Sequence, residues 1–515
     1  MKRLFCLLLC AVLLLGLLAG CSGGEETQSG DEDMAAAFSV GYGKADISPE
    51  ESVYLIGHNE PKEERMSTAV AESLYVTCVA FTDEENETVL FLATDLLYVR
   101  KEQSDQIREA ISKDTAVPFD HVILHCSHNH SGPDASDLVY FQLLKERCQS
   151  AAKDAMGDRA PAQMFTAFSR PEGYNFVRHY LLTDGTYMGE AVGAVEKDML
   201  VGHTHKCDNL LQLVKFSREG KKDIVMMNWR GHPWGTEPVS HTTATPNYPG
   251  VMRQVAEEGL DCLGVFVLGA SGNSNNGTQI PEEDRFGKRY QELGKALGQE
   301  VIKTAENFIP AKTDKIQFEE NIYLGDSVYG SDFEVPLYVF SVGDVAFTTA
   351  PFETFDTNEV YVRENSKFKM TVHASVTNDW QSYLPTPESF SWEYRYEVRV
   401  TQYPQGMAET VADQLLEMLN RIFEAGGYQE EEKTDGYITP EFIPYTDGVE
   451  YMIVGAGSTN AYCAVENGFY QINVLADGKV KQKLVRNEET AKIIIQKDYA
   501  KFLFNEQGVI VDIAD

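Results

Sequence analysis

The stretch Val122-Ile123-Leu124-His125-Cys126-Ser127-His128-Asn129-His130-Ser131-Gly132-Pro133 joins an apolar run directly to a polar turn. Val122, Ile123 and Leu124 read as a short strand buried on both faces. Ser131-Gly132-Pro133 closes the segment as a loop. His128 and His130 fall where the strand ends. Alternate residues of an extended segment point the same way, so the spacing predicts two imidazoles facing one pocket. Neutral imidazole is the commonest metal ligand and a frequent zinc donor. The spacing alone decides little. His203-Thr204-His205 repeats it in a polar stretch with no strand predicted before it, and reads as a surface loop.

Outward from this point the chain alternates short apolar runs with helical spacing. Upstream, Val40–Ile47 reads as a strand. Leu74–Thr82 and Thr88–Thr94, separated by the acidic turn Asp83–Glu87, read as a hairpin or as adjacent strands, and Arg100–Ser112 reads as a helix. Downstream, Asp223–Asn228, Cys262–Leu268, Val345–Thr349 and Met370–Val376 read as strands. Val251–Glu258, Arg285–Asn307 and Glu409–Glu424 read as helices. This order predicts an α/β fold, a large mixed α/β domain over residues 39–425 with its ligand site at strand ends. Ala425–Lys433 breaks the pattern as a linker. Residues 436–515 read as a small β-rich domain, with Ile453-Val454, Tyr470–Leu475 and Lys492–Ile495 as its strands.

The first residues belong to no fold. Met1-Lys2-Arg3, the apolar run Leu4–Leu18 and the small residues before Cys21 make a secretory signal. The run is too short for a comfortable membrane span. Leu18-Ala19-Gly20-Cys21 resembles a bacterial lipobox, which implies cleavage before Cys21, lipid on that residue and a position outside the cytoplasm, anchored to the cell membrane. Residues 22–38, rich in Gly, Ser, Glu and Asp, read as a flexible acidic tether.

The net charge of −35, from 44 basic and 79 acidic residues, argues against nucleic acid and against electrostatic adhesion to an anionic bilayer. Of nine cysteines, Cys6 and Cys10 fall in the signal and Cys21 is the lipidation site. The even remainder permits disulfides in an exported protein, and free core thiols fit equally well. No spacing matches a zinc finger or a redox pair.

Other polar residues follow predicted strands: His232 in Asn228-Trp229-Arg230-Gly231-His232-Pro233, Glu353 in Ala350-Pro351-Phe352-Glu353-Thr354, and Tyr383 after Asn378-Asp379-Trp380-Gln381-Ser382. Singly, each has a plain structural explanation: a satisfied loop histidine, a helix-capping glutamate, a core tyrosine. Together with Gly41-Tyr42-Gly43-Lys44-Ala45-Asp46-Ile47, with Cys126–Pro133 and with Tyr383-Leu384-Pro385-Thr386-Pro387-Glu388, their order resembles the neutral, non-lysosomal ceramidase family of zinc amidases, in a shorter bacterial branch.

The resemblance spans roughly Val40–Glu424. It implies His128, His232, Glu353 and Tyr383 as zinc ligands, and His130, Arg178 and Tyr396 (with Tyr394 as the fallback) around the scissile carbonyl of a small-molecule or lipid amide. Zinc lowers the pKa of bound water toward about 7, which suits amide hydrolysis. Two positions depart from the family: Asn273 and Asn247 stand where relatives carry acids. Asn275, with Ser274 beside it, stands where a serine has been proposed to act, so a serine-nucleophile route is unsupported. A metal-dependent hydrolase of another small amide or ester, from glycan or envelope material, and a non-catalytic binding lipoprotein are the rival expectations.

Overall fold

The computed structural model describes residues 38–514 apart from 59, 183–185, 190–199, 235–240, 277–288, 314, 327–331, 393–394, 431–440, 446–448, 454–458, 466–467, 475–479, 486–500 and 505–509. The secretory signal, the lipidation site and nearly all of the tether lie outside the described residues.

A large sheet takes its strands in the order Leu263–Leu268, Ile224–Trp229, Leu211–Arg218, Ala160–Ser169, Ser39–Asp46, Tyr75–Thr82, Thr88–Thr94, Val122–Cys126, with Ile309–Ala311 also on Ala160–Ser169. Its two ends are parallel pairs, Ile224–Trp229 with Leu263–Leu268 and Thr88–Thr94 with Val122–Cys126. Parallel strands need long crossovers, here the helices Asn247–Leu260 and Lys101–Thr115. A smaller sheet runs Ile316–Asp326, Asp332–Val342, Val345–Thr349, Met370–Ala374, and its last pair is parallel across the helix Asp356–Asn365.

Strand periodicity sorts the core into layers. Val89 and Phe91 face Phe340, Phe347 and Val372 of the small sheet. Their neighbours Leu90 and Leu92 face Ile107, Tyr140 and Leu144 on the helices Lys101–Thr115 and Leu138–Gly157. Leu213 and Met227 pack on Tyr248, Met252 and Leu297, from Asn247–Leu260 and Arg289–Thr304. Val335 and Leu337 pack on Val411 and Leu415 of Met407–Gly426. The result is helices, large sheet, small sheet, helices, and strands such as Thr88–Thr94, Ile224–Trp229, Val345–Thr349 and Met370–Ala374 are buried on both faces. This explains why so many strands read as continuous apolar runs.

The fold class is mixed α/β, as expected. The predicted elements named above recur within a few residues of their expected bounds wherever they fall on described residues; Lys492–Ile495 lies outside them. From Glu441 onward the described strands pair as Glu441–Tyr445 with Val449–Ile453, as the meander Thr459–Val465, Gly468–Val474, Val480–Val485, and as Lys501–Phe504 with Ile510–Ala514. Cys78, Cys126, Cys148, Cys207 and Cys262 are buried free thiols. No helix among the described residues is long and apolar enough to cross a membrane.

One reading is corrected. His203 is no surface loop: Leu200–His203 is a strand paired with Tyr180–Leu182. The stretch looks polar because its side chains are spent internally, with His205 Nε2 2.9 Å from Asp356 Oδ1.

Candidate metal centre

The strand Val122–Cys126 ends at the edge where Met370–Ala374 also ends: Cys126 N donates to Val376 O at 3.2 Å and Asn378 N to Leu124 O at 2.8 Å. His128 then takes the left-handed backbone region, φ 60°, where histidine is enriched among non-glycine residues. The motif is therefore kinked rather than extended, and the expected alternation is not what aims its rings. Asn129 holds the kink. Its Nδ2 donates to Asp95 O at 3.0 Å and Thr245 O at 2.7 Å, and its Oδ1 accepts from Ser131 N at 2.9 Å. The rings of His128 and His130 end up 4.9 Å apart, edge to face.

His232 arrives three residues after the strand Ile224–Trp229, its ring 4.7 Å from His128 and 5.1 Å from His130. Glu353 and Tyr383 come as register partners of a two-strand parallel pair, Glu353–Thr354 with Tyr383–Leu384. Glu353 N donates to Ser382 O at 3.0 Å. A Cβ on Gly272 would lie 2.3 Å from the Glu353 carbonyl oxygen, so only glycine lets this loop close. The structure thus brings His128, His130, His232, Glu353 and Tyr383 together from four separate chain segments.

The protons are placed by the backbone. His128 Nδ1 lies 3.1 Å from Leu97 O, His130 Nδ1 2.7 Å from Gly57 O, and His232 Nδ1 3.3 Å from Ser271 O. A carbonyl only accepts, so each Nδ1 carries its hydrogen, and the neutral rings of His130 and His232 present a lone pair at Nε2. His130 Nε2 and His232 Nε2 stand 3.1 Å apart. His128 Nε2 is 3.1 Å from Glu353 Oε2, and both atoms are buried without a hydrogen bond of normal geometry. Burial, then the neighbouring charge of His128, pushes His130 and His232 well below the usual histidine range. Burial alone would raise Glu353, but His128 together with hydrogen bonds from Tyr383 and Trp380 holds its carboxyl below the usual value. Burial, and then the Glu353 charge, lifts the Tyr383 phenol well above its usual value.

Three imidazole nitrogens and a carboxylate converge in this buried space, and a nitrogen and oxygen donor set suits zinc. Carbonyl-held Nδ1 hydrogens are how metal-binding histidines are oriented. His128, His130 and His232 meet the geometric condition for holding a metal ion, their donor atoms lying within 4.8 Å of one another.

Tyr396 starts the helix Tyr396–Val400 and lines the cavity over this floor, its ring 5.7 Å from Tyr383. Arg178 stands back from the cavity wall. Its Nε donates to Glu397 Oε1 at 3.0 Å and its Nη2 to Gly272 O at 2.8 Å, and its guanidinium sits 5.5 Å from the Tyr383 ring. Tyr394 lies outside the described residues. Asn273 donates to Asp356 Oδ1 at 2.7 Å and accepts from Asp356 N at 2.9 Å; an aspartate there would set two carboxylates face to face. Asn247 takes φ 55° and its Oδ1 accepts from Tyr248 N. Ser274 Oγ donates to Arg230 O at 2.8 Å, so its hydroxyl is spent on backbone.

Sequence reasoning missed Gly57, Trp380 and Glu397. Trp380 Nε1 donates to Glu353 Oε1 at 3.0 Å, and Glu397 pairs with both Arg178 and His179. Trp380 stood in the stretch that led to Tyr383, and its position before that tyrosine was the available signal. Gly57 offered none.

No family model and no curated protein sequence matches this chain. Solved structures do. One described as "Ceramidase complexed with C2" is 13% identical, with a TM-score of 0.61 over 84% of this chain and 82% of that one. The neutral ceramidase from Pseudomonas aeruginosa is 11% identical, with a TM-score of 0.60 over 93% of this chain and 98% of that one. The chain has a ceramidase-like fold. At these identities the ceramidase-like fold is what the likeness shows, and the chemistry rests on the site.

Proposed function

We propose that this chain is a zinc-dependent hydrolase that cleaves the amide bond of an N-acylated substrate. The observation behind this reading is the convergence of the His128, His130 and His232 ring nitrogens and the Glu353 carboxylate at a cavity of about 540 Å³ that His128, His130 and Glu353 line. That volume suits a small-molecule substrate. That solved structures of the same fold are ceramidases supports an amide, and a ceramide-like lipid is one member of the class.

In this reading His128, His232 and Glu353 hold the metal, and Tyr383, bonded to Glu353, completes the set. Bound there, zinc supplies Lewis acidity and acidifies a water. His130 Nε2 is a proton acceptor while its Nδ1 hydrogen stays on Gly57 O. It becomes a donor only after taking a proton, which it then delivers to the leaving nitrogen, since an amide anion leaves poorly. The Tyr396 hydroxyl donates to the developing oxyanion, an interaction worth roughly 3–4 kcal/mol per donor. Arg178 acts through Glu397 and Tyr383, fixing where Tyr396 and Tyr383 stand. In this reading the chain is exported by its N-terminal signal and lipidated on Cys21, and the activity lies outside the cytoplasm at the membrane.

Turnover of a short-chain fluorogenic ceramide and of acylated amino sugars by zinc-loaded protein tests the reading. Hydrolysis of at least one amide is expected, abolished by a chelator and reduced about 100-fold or more by His232→Ala, on the scale seen when metal sites are disturbed. Failure of the metal-loaded protein on every amide would overturn it.

A further inference from the structure

One wall of the cavity has a chemistry that metal binding does not use. Tyr98 and Trp380 stack face to face, ring centroids 4.4 Å apart and planes 10° from parallel. The guanidinium carbon of Arg100 lies 5.1 Å from the first ring centre and 5.2 Å from the second. All three residues line the cavity. We propose that Arg100, held on this aromatic pair, binds a carboxylate of the substrate, so that the amide cleaved is that of an N-acylated amino acid rather than a neutral lipid amide. The proposal rests on the hydrolase reading above.

Arg100 makes no ion pair with a carboxylate among the described residues, although acidic residues outnumber basic ones 79 to 44 in this chain. The adjoining Lys101 is paired with Asp105 at 2.5 Å. The acid beside the wall, Asp379, is spent on neutral donors: Lys101 N at 2.8 Å, Trp380 N at 2.7 Å and Gln381 Nε2 at 2.8 Å. The carboxylate in the cavity, Glu353, sits on the floor and accepts from Trp380. A guanidinium packed on aromatic faces is fixed in its plane, and Arg100, which also hydrogen-bonds the Tyr98 hydroxyl, has further N–H groups for a planar, two-oxygen partner. Trp380 touches Arg100 with its ring and Glu353 with its Nε1. One residue therefore sets the spacing between the carboxylate contact and the bond to be cut. The aliphatic part of the lining is small, Ile56, Leu97 and Val400, which suits a compact polar amide better than paired long chains.

The test compares N-hexanoylglycine with N-hexanoylglycinamide, which differ in charge and little in shape. Binding is read from tryptophan fluorescence of the zinc-loaded protein, and kcat/KM is measured on the same samples. The acid is expected to bind at least about tenfold more tightly than the carboxamide, the scale of a charge-assisted contact. R100Q is expected to remove that preference by weakening the acid far more than the carboxamide, with R100K intermediate. Arg100 is exposed, so neither substitution disturbs the core. Equal affinity for the two ligands, binding of neither, or a preference that survives R100Q would overturn the proposal. The two claims separate cleanly. Acid-selective binding without turnover of any amide sinks the hydrolase reading and keeps the site. Turnover of neutral amides without selectivity does the reverse.

Discussion

Which nitrogen of a buried imidazole carries the proton is decided by what the other nitrogen touches. Here that partner is a backbone carbonyl for each histidine of the cluster, so which nitrogen faces the centre of the cluster is set by Leu97, Gly57 and Ser271. Gly57 takes φ +116°, and a Cβ there would lie 2.7 Å from His130 Nδ1. Gly57→Ala is therefore expected to displace His130 and lower kcat about 10- to 100-fold with zinc still bound, read from amide turnover beside zinc content; unchanged kcat would show that His130 takes no part in proton transfer. Glu397 matters differently. Burial would raise its carboxyl, but His179 and Arg178 hold it at about 2. Glu397→Gln strands a buried guanidinium and is expected to cost about 3–5 kcal/mol of stability in denaturant titration. A loss under about 1 kcal/mol would mean that Arg178 finds water instead. At this scale the sequence showed the types and order of His128, His232, Glu353 and Tyr383. Proton placement stayed invisible, because it depends on carbonyls whose residue identity is irrelevant.

Among the elements, the site forms where parallel strands of two different sheets end side by side. Glu353 and Tyr383 are neighbours because Val345–Thr349 and Met370–Ala374 run parallel, and the segments that follow them pair again. Gly272 is the close approach that permits this. Gly272→Ala forces a Cβ against the Glu353 backbone and should loosen zinc binding while leaving the helices intact; circular dichroism with metal titration tells local displacement from unfolding. Most strands were legible because they are apolar on both faces. The same property hid the layering, since a run with two buried faces does not say which neighbour covers which. The His128 kink was illegible for a related reason: an H-x-H reads as extended, and only Asn129, tied to Asp95 and Thr245, shows that it turns.

At the scale of the molecule, several buried histidines are held neutral. Burial pushes His373 down to about 4 and His125 to about 3, alongside His130 and His232. A histidine whose folded pKa is depressed contributes stability above its unfolded value, near 6.5, and loses it as pH falls toward the folded value. The metal-free protein is thus expected to lose stability steadily between about pH 6.5 and 4, and a flat thermal-melting profile over that window would contradict the burial of these rings. Zinc should raise the profile and steepen its fall with acid, because a bound metal competes with protons for the same lone pairs and its contribution is lost as pH drops. The most direct test of the central claim is the zinc content of the purified chain, measured by mass spectrometry of the metal beside the double variant His128→Ala/His232→Ala. The account predicts one zinc per chain and none in the variant. A zinc-incubated wild-type protein that holds none, or a double variant that keeps it, would contradict it.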